Sequence, residues 1–106
     1  FVSKLDFVTT IGHGEGGDSR AKMGFPGKGP SAVISDLAIL KPDATTRELT
    51  LTSVTPGVRV ATVVAATSWP LKVAPLVAPT PEPTEIELPV LRDLNARTAK
   101  AHAGQA

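Results

Sequence analysis

The sequence predicts both strands and helices, the elements of an α/β fold, and two local patterns show one of each. Residues Glu48–Val54 alternate between polar and apolar side chains, as is typical of a strand with one buried face. Thr84 and Glu87 have the spacing of a capping box, which marks the start of a helix. Because the chain has 106 residues, we expect all of it to form one domain.

The first thirty residues predict a strand followed by a long loop. Residues Leu5–Ile11 are mostly β-branched, aromatic or aliphatic, which favours a strand. Residues Gly12–Pro30 are rich in glycine and proline, so at most one helical turn is expected, near Ser19–Met23. We call residues Gly12–Pro30 the glycine loop.

The next segment predicts two strands joined by a turn. Ala32–Leu40 is almost continuously apolar and is predicted to be one strand covered on both faces, with Asp36 in its middle. A carboxylate placed there needs hydrogen-bond partners, and the amides of the glycine loop are the expected donors. The turn-forming residues Lys41–Asp43 follow, so we expect an antiparallel hairpin with Glu48–Val54.

The second half of the chain contains one ambiguous segment and one predicted helix. Val58–Thr67 fits one face of a helix and also a strand, and its pattern leaves both open. Leu71–Val77 predicts a short strand, and residues 77–83 predict a stiff proline-rich connector. The last helix is expected to begin at the capping box or near Pro89, and residues 98–106 are predicted to be a frayed tail.

Composition excludes several classes of function. The net charge is +1 and aromatic residues make up 4% of the chain, so neither a nucleic-acid partner nor an anionic membrane surface is expected. No apolar run is long enough to span a membrane. The chain has no cysteine, which excludes thiolate chemistry and is in line with a cytoplasmic location. Because it begins almost inside a predicted strand, we expect a fragment or processed product of a longer polypeptide.

The glycine loop holds the densest group of chemically reactive side chains, namely His13, Glu15, Asp18 and Arg20. Its amides could face an anion, and an imidazole such as that of His13 can act as a general base. A structural role for His13, bonded to the backbone, is favoured. A single histidine with two carboxylates is a weak metal-site pattern, and no metal is predicted.

Two segments resemble nucleotide-binding motifs but do not match them fully. Gly12-x-Gly14-x-x-Gly17 matches a dinucleotide fingerprint, with Asp36 at a suitable distance, but no helix of useful length is predicted to follow. Lys28 between two glycines does not have P-loop spacing. We therefore predict no nucleotide cofactor.

Four segments occur in a characteristic order: Val33–Leu40, Glu48–Leu51, Pro56–Val58 and Ala65–Trp69. In this order they resemble the C-terminal part of the β subunit of class I coenzyme A transferases. The likeness is to the glutaconate-transferase-like branch, and within it to the acyl-CoA hydrolases that open the last ring in bacterial cholesterol degradation.

The resemblance implies a portion of an open, largely parallel α/β/α sheet with a hairpin and two helices, and it assigns Val58–Thr67 to a helix. It implies an α subunit and the N-terminal part of the β subunit as partners, an acyl-CoA substrate, and no cofactor beyond the coenzyme A of that substrate. The family's catalytic glutamate motif is not found here, so no catalytic residue is assigned and the chain alone is expected to be inactive.

Four positions depart from the family pattern. Ala61 and Thr62 replace an acidic pair, Ser68 replaces a glycine, and Pro89 interrupts the last helix. Because these positions lie on helix surfaces and caps, we expect them to affect stability more than function.

The resemblance places substrate or coenzyme A contacts in the glycine loop, at Gly12, His13, Gly14, Gly16, Gly17 and Arg20. The amides would stabilise an oxyanion or a substrate carboxylate, and Arg20 would pair with a carboxylate or a phosphate. The implied function is hydrolysis or transfer of a carboxylated acyl-CoA, including ring-opening hydrolysis in steroid degradation. The alternatives are CoA transfer between carboxylic acids, or a non-catalytic structural or interaction fragment.

Overall fold

A four-stranded open sheet forms the centre of the structure, a computed structural model that describes residues 1–104. The sheet has the order β1-β2-β3-β4, and three helices accompany it in the described chain. The strands are β1 (Val33–Ile34), β2 (Ala38–Pro42), β3 (Leu49–Val54) and β4 (Lys72–Pro79). The helices are α1 (Ser19–Lys22), α2 (Val60–Ala65) and α3 (Glu87–Ala103). The predicted α/β class is confirmed.

The directions of the strands follow from the lengths of their connections. β1 and β2 are antiparallel, as are β2 and β3, because short turns join them. β3 and β4 are parallel and are connected through α2, which supplies the longer crossover that a parallel pair requires. The predicted hairpin is therefore confirmed. The largely parallel arrangement is not what these four strands show, since two of their three pairings are antiparallel.

The predicted continuous strand over Ala32–Leu40 is wrong, because a tight turn divides it. The Ser35 hydroxyl accepts hydrogen bonds from the amides of Leu37 (3.2 Å) and Ala38 (3.3 Å), and the Ser35 amide donates to the Ala38 carbonyl (3.0 Å). Such local side-chain bonds compete with a continuous ladder. Asp36 consequently lies exposed in this turn, and the carboxylate expected inside a covered strand is not buried.

The predicted strand over Leu5–Ile11 is also wrong in the described chain. These residues are exposed and pair with no strand within residues 1–104. A strand requires a neighbour for its backbone groups, and sequence pattern does not supply one. The N-terminal residue itself is anchored, because the Phe1 amino group donates to the Ala66 carbonyl (2.9 Å) and its ring lies 6.0 Å from that of Trp69.

A small core lies between the sheet and α2. Its buried apolar residues are Ala38, Leu40, Leu51, Val63 and Leu71. Val63 is the buried residue of α2, so the helical alternative for Val58–Thr67 is confirmed. The Thr67 hydroxyl donates to the Val63 carbonyl (2.9 Å), which satisfies the one buried polar side chain of the described residues.

The edge strand β4 leaves the ladder in its middle. Lys72 and Val73 pair with β3, and pairing resumes only at Ala78 and Pro79, where the register has shifted. The intervening residues 74–77 include Pro75, which has no amide hydrogen to donate. This segment therefore forms a bulge at the edge of the sheet.

Helix α3 begins where its capping residues indicate. The Thr84 hydroxyl accepts a hydrogen bond from the Glu87 amide (3.1 Å), and Pro89 is the third helical residue, where its missing amide hydrogen breaks no bond within the helix. The helix continues to Ala103, so residues 98–103 of the predicted frayed tail are helical, while Gln105 and Ala106 lie outside the described residues.

The described chain is extended and exposes much apolar surface. Its radius of gyration is 17.6 Å, whereas a compact domain of this length would have about 13 Å. Helix α3 buries none of its residues, and Val90, Leu91 and Leu94 are exposed on it, as is Ile86 just before it. The described chain by itself therefore leaves the apolar residues of α3 uncovered.

Candidate functional site

The glycine loop folds back on itself around the single-turn helix α1. The Gly14 amide donates to the Ile11 carbonyl (3.0 Å), and the Gly16 amide donates to the His13 carbonyl (3.0 Å). The Ser19 hydroxyl at the start of α1 accepts a hydrogen bond from the Glu15 amide (3.2 Å). These contacts give the loop a defined shape despite its content of glycine.

The Arg20 side chain holds the glycine loop together through two hydrogen bonds. Its Nη1 donates to the Gly12 carbonyl (2.7 Å) and its Nη2 donates to the Pro26 carbonyl (3.4 Å). The guanidinium also lies 5.5 Å from the centre of the Phe25 ring, a favourable cation–π distance. Both terminal nitrogens therefore bind the protein itself, and the predicted pairing of Arg20 with a substrate anion remains a prediction.

His13 and Gly29 pack against Arg20 on the same side of the loop. His13 Nε2 lies 2.7 Å from the Pro30 carbonyl, which accepts from it, as expected for the backbone-bonding role favoured above. Gly29 has φ +79°, and a Cβ there would lie 2.8 Å from Arg20 Cδ and 3.0 Å from His13 Cε1. A residue without a side chain is thus required for Arg20 and His13 to sit as they do.

The six residues predicted to contact substrate are all in this loop, but their amides differ in availability. The amides of Gly14, Gly16 and Gly17 each donate to a backbone carbonyl. Within residues 1–104, the amides of Gly12 and His13 donate to no acceptor. Of the predicted anion donors, these two adjacent amides are the ones that the fold leaves for a ligand.

The glycine loop is docked onto the turn between β2 and β3, residues 43–48. The Gly17 amide donates to the Thr46 carbonyl (2.9 Å). A Cβ at Gly16, where φ is +91°, would lie 2.6 Å from that carbonyl oxygen. Close approach of the two backbones therefore depends on glycine at this position.

Asp43 makes the β2–β3 turn rigid. Its Oδ1 accepts hydrogen bonds from the amides of Thr45 and Thr46 (both 2.9 Å), and its Oδ2 accepts one from Lys72 Nζ (3.2 Å). The two backbone amides, followed by Lys72, hold the pKa of the Asp43 carboxyl well below its ordinary value of 3.8. Asp43 therefore fixes the turn onto which the glycine loop docks.

A cleft of about 350 Å³ lies between the glycine loop and this turn. We call it the basic cleft, and its lining includes His13, Arg20, Lys28 and Arg47. Arg47 has φ +63°, and it is the one non-glycine residue with a positive φ in the described chain. Sequence reasoning missed Arg47, because nothing in its local pattern marks it, and tested Lys28 only against the P-loop spacing.

Residues 1–104 offer neither a metal centre nor a membrane anchor of the helical kind. No group of three histidine, cysteine or carboxylate residues there is placed to hold a metal ion. None of the helices in this part of the chain is both long enough and apolar enough to cross a membrane.

Known proteins resemble this chain in sequence, although no model of a protein family matches it. It is 51% identical over 105 residues to the β subunit of 3-oxoadipate CoA-transferase from Pseudomonas knackmussii, covering 99% of this chain and 40% of that protein. It is 34% identical over 90 residues to the β subunit of glutaconate CoA-transferase from Acidaminococcus fermentans, covering 83% of this chain and 34% of that protein. The chain thus spans well under half the length of these relatives.

A solved structure resembles the fold. The crystal structure of glutaconate coenzyme A-transferase from Acidaminococcus fermentans matches with a TM-score of 0.75 and 29% sequence identity. The match covers 87% of this chain and 35% of that one.

Proposed function

We propose that this chain acts as the C-terminal part of a class I CoA-transferase β subunit in a heteromeric CoA-transferase, because it is similar in sequence to part of two CoA-transferase β subunits and in fold to a solved CoA-transferase. The observation that carries the proposal is the 51% identity to the β subunit of a CoA-transferase over 105 residues. The rest of the β subunit and an α subunit are the proposed partners.

The proposed reaction is CoA transfer between carboxylic acids, the alternative named above, rather than ring-opening hydrolysis of a steroid-derived acyl-CoA. Both relatives are called CoA-transferases, and nothing among the similar proteins favours the hydrolase. Their names, 3-oxoadipate and glutaconate, denote dicarboxylic acids. We therefore propose that the acid to which this enzyme transfers CoA is a dicarboxylic acid.

The glycine loop contributes donors to the acyl-CoA site. The amides of Gly12 and His13 stabilise negative charge that develops on a thioester oxygen or is carried by a substrate carboxylate. Arg20 orients one of these two amides. It binds the Gly12 carbonyl, which shares a planar trans peptide with the His13 amide, so fixing the carbonyl aims the amide in the opposite direction.

The exposed apolar side chains supply the surface for the partners. They include Phe7 (78% exposed) in the N-terminal segment and Ile86 (80% exposed) at the start of α3. Burial of apolar area contributes about 25 cal/mol per Å², so covering these residues would stabilise an assembly. The proposed subunit thus completes its core with other polypeptides.

The experiment is a transfer assay on the assembled enzyme. CoA transfer from an acyl-CoA donor is measured with monocarboxylic and dicarboxylic acceptors, and thiol release without acceptor is measured separately. We expect transfer to dicarboxylic acids and little thiol release. Thiol release without transfer would support hydrolysis, and binding of no acyl-CoA would leave a structural or interaction fragment; either result would overturn the proposal.

The loop is tested with a matched pair of variants in the same assembly. Arg20→Ala is expected to lower kcat by about a hundredfold, since losing one oriented donor in an oxyanion site costs about 10²- to 10³-fold. Arg92→Ala removes an exposed arginine of α3, outside the glycine loop, and is expected to leave kcat unchanged. An unchanged kcat for Arg20→Ala would exclude its positioning role.

A further inference from the structure

The basic cleft is lined by more positively charged side chains than carboxylates. Arg20, Lys28 and Arg47 line it, together with His13. Asp18 is the carboxylate of its lining, and it pairs with Lys22 outside the cleft at 3.3 Å. In the described chain neither Lys28 nor Arg47 forms an ion pair. The cleft is therefore suited to bind an anion that is not part of the described chain.

The backbone conformation of Arg47 is a second, independent observation about this cleft. A side chain at φ +63° is sterically unfavourable, and such residues persist where the surroundings determine the conformation. Here the Arg47 amide donates to the Asp43 carbonyl (3.0 Å), and the Asp43 carboxylate caps the same turn. Arg47 is therefore held at the cleft by a rigid turn rather than by a flexible loop.

The cleft is also fixed in width. One wall belongs to the glycine loop and the other to the β2–β3 turn, and the Gly17–Thr46 hydrogen bond joins them. The Arg20 guanidinium is already bound to loop carbonyls, so it adds charge while Lys28 and Arg47 remain as donors. Because the backbone at Arg47 and the separation of the two walls are already set, an anion that binds here has less of the backbone to order.

We propose that the basic cleft binds the phosphate groups of the coenzyme A moiety of the substrate. This inference rests on the proposed function, because it takes the ligand to be an acyl-CoA. The charges favour phosphates over the single free carboxylate of a dicarboxylic acyl group, because the diphosphate and the 3′-phosphate together carry several negative charges. A guanidinium fork and an ammonium are both suited to phosphate oxygens.

The test measures the dissociation constants of coenzyme A, dephospho-coenzyme A and pantetheine in the assembled enzyme. Arg47→Gln and Lys28→Gln are each expected to weaken coenzyme A binding about tenfold, the effect of one lost charge-assisted contact. Binding of pantetheine, which has no phosphate, is expected to stay unchanged. Arg59→Gln, at an exposed arginine outside the cleft lining, is the control and is expected to change none of the three constants.

Steady-state kinetics separate the two substrates. We expect the KM of the acyl-CoA to rise in both cleft variants, with kcat and the KM of the acceptor acid unchanged. A rise in the KM of the dicarboxylic acceptor alone would identify a carboxylate site and overturn the inference. Arg47→Gly, which removes the side chain and adopts a positive φ without strain, is tested alongside Arg47→Gln, and weakened coenzyme A binding in a folded Arg47→Gly enzyme would support the inference.

The remaining outcomes separate this inference from the proposed function. Normal transfer with unchanged coenzyme A affinity in both cleft variants would overturn the phosphate site and leave the proposed function intact. No coenzyme A binding by the unsubstituted assembly would overturn both. Inorganic pyrophosphate is expected to compete with coenzyme A; pyrophosphate that binds the cleft without competing would identify free phosphate as the ligand and overturn the inference.

Discussion

Replacing Gly16 by alanine is the sharpest test of how the glycine loop is held. Gly16 has φ +91°, and an added Cβ would lie 2.6 Å from the Thr46 carbonyl oxygen. That oxygen accepts the Gly17 amide, so the methyl group would push apart the two backbones that this bond joins. Gly17→Ala is the matched control, because Gly17 also has a positive φ but no atom within 4 Å of an added Cβ.

The magnitude follows from two contributions. Alanine in a left-handed conformation costs about 1–2 kcal/mol, and this cost applies to both variants. Losing the Gly17–Thr46 hydrogen bond adds about 0.5–1.5 kcal/mol, and this applies to Gly16→Ala alone. We therefore expect Gly16→Ala to destabilise docking of the loop by about 1.5–3.5 kcal/mol and Gly17→Ala by about 1–2 kcal/mol.

Amide hydrogen exchange measures the docking directly. The amide of residue 17 is protected by the Thr46 carbonyl, so its exchange reports separation of the loop from the turn. A loss of about 1.5–3.5 kcal/mol corresponds to exchange roughly 10- to 400-fold faster in Gly16→Ala. Equal acceleration in the two variants would refute the argument, because it would show that the close approach to Thr46 contributes nothing.

Three further predictions concern the sheet and the turn. Replacing the fully buried Leu51 by alanine is expected to lower the free energy of unfolding by about 2–5 kcal/mol, measured by urea unfolding of this chain. Leu76→Ala, at a residue that is 84% exposed, is the control and is expected to change this free energy by under about 0.5 kcal/mol. The pKa of Asp43 in the folded chain lies below its ordinary value of 3.8, so its contribution to stability is complete above pH 3.8 and is lost as the pH falls through the folded pKa. Asp43→Asn is expected to remove this part of the pH dependence of urea unfolding. An unchanged pH dependence would contradict the stabilising role of the Asp43 carboxylate. Arg47→Gly relieves the positive φ but adds freedom to the unfolded chain, so thermal unfolding is expected to show a gain of about 0.5–1 kcal/mol, and a clear loss would argue against strain at this residue.

The elements that sequence pattern predicted well are those whose signal is local. The alternation over Glu48–Val54 corresponds to β3, and the capping box at Thr84 lies at the start of α3. The ambiguous segment Val58–Thr67 was assigned by the family resemblance, since β-branched residues favour a strand and the spacing favours a helix with equal force.

The wrong predictions depended on partners that local pattern does not show. Leu5–Ile11 has the composition of a strand, but within the described chain it has no neighbouring strand to pair with. Ala32–Leu40 was divided by the hydroxyl of Ser35, a single side chain whose hydrogen bonds outweigh the apolar run around it.

The sequence pointed to one wall of the candidate site and not to the other. Its glycines and reactive side chains indicated the loop that contains His13 and Arg20, although the strand predicted before this loop is not present in the described chain. Arg47 comes from a separate turn, and its place at the cleft depends on the bond from Gly17 to Thr46 and on a positive φ. Neither is visible in the amino-acid pattern, since both arise from tertiary docking.

The bulge at Pro75 has a consequence for solubility. An exposed sheet edge normally invites further strands to add, which is the first step of fibrous aggregation. In the described sheet one edge, β1, is only two residues long, and the other, β4, departs from the ladder where Pro75 interrupts it. Both edges are therefore poor templates for growth, even though the described chain exposes much apolar surface.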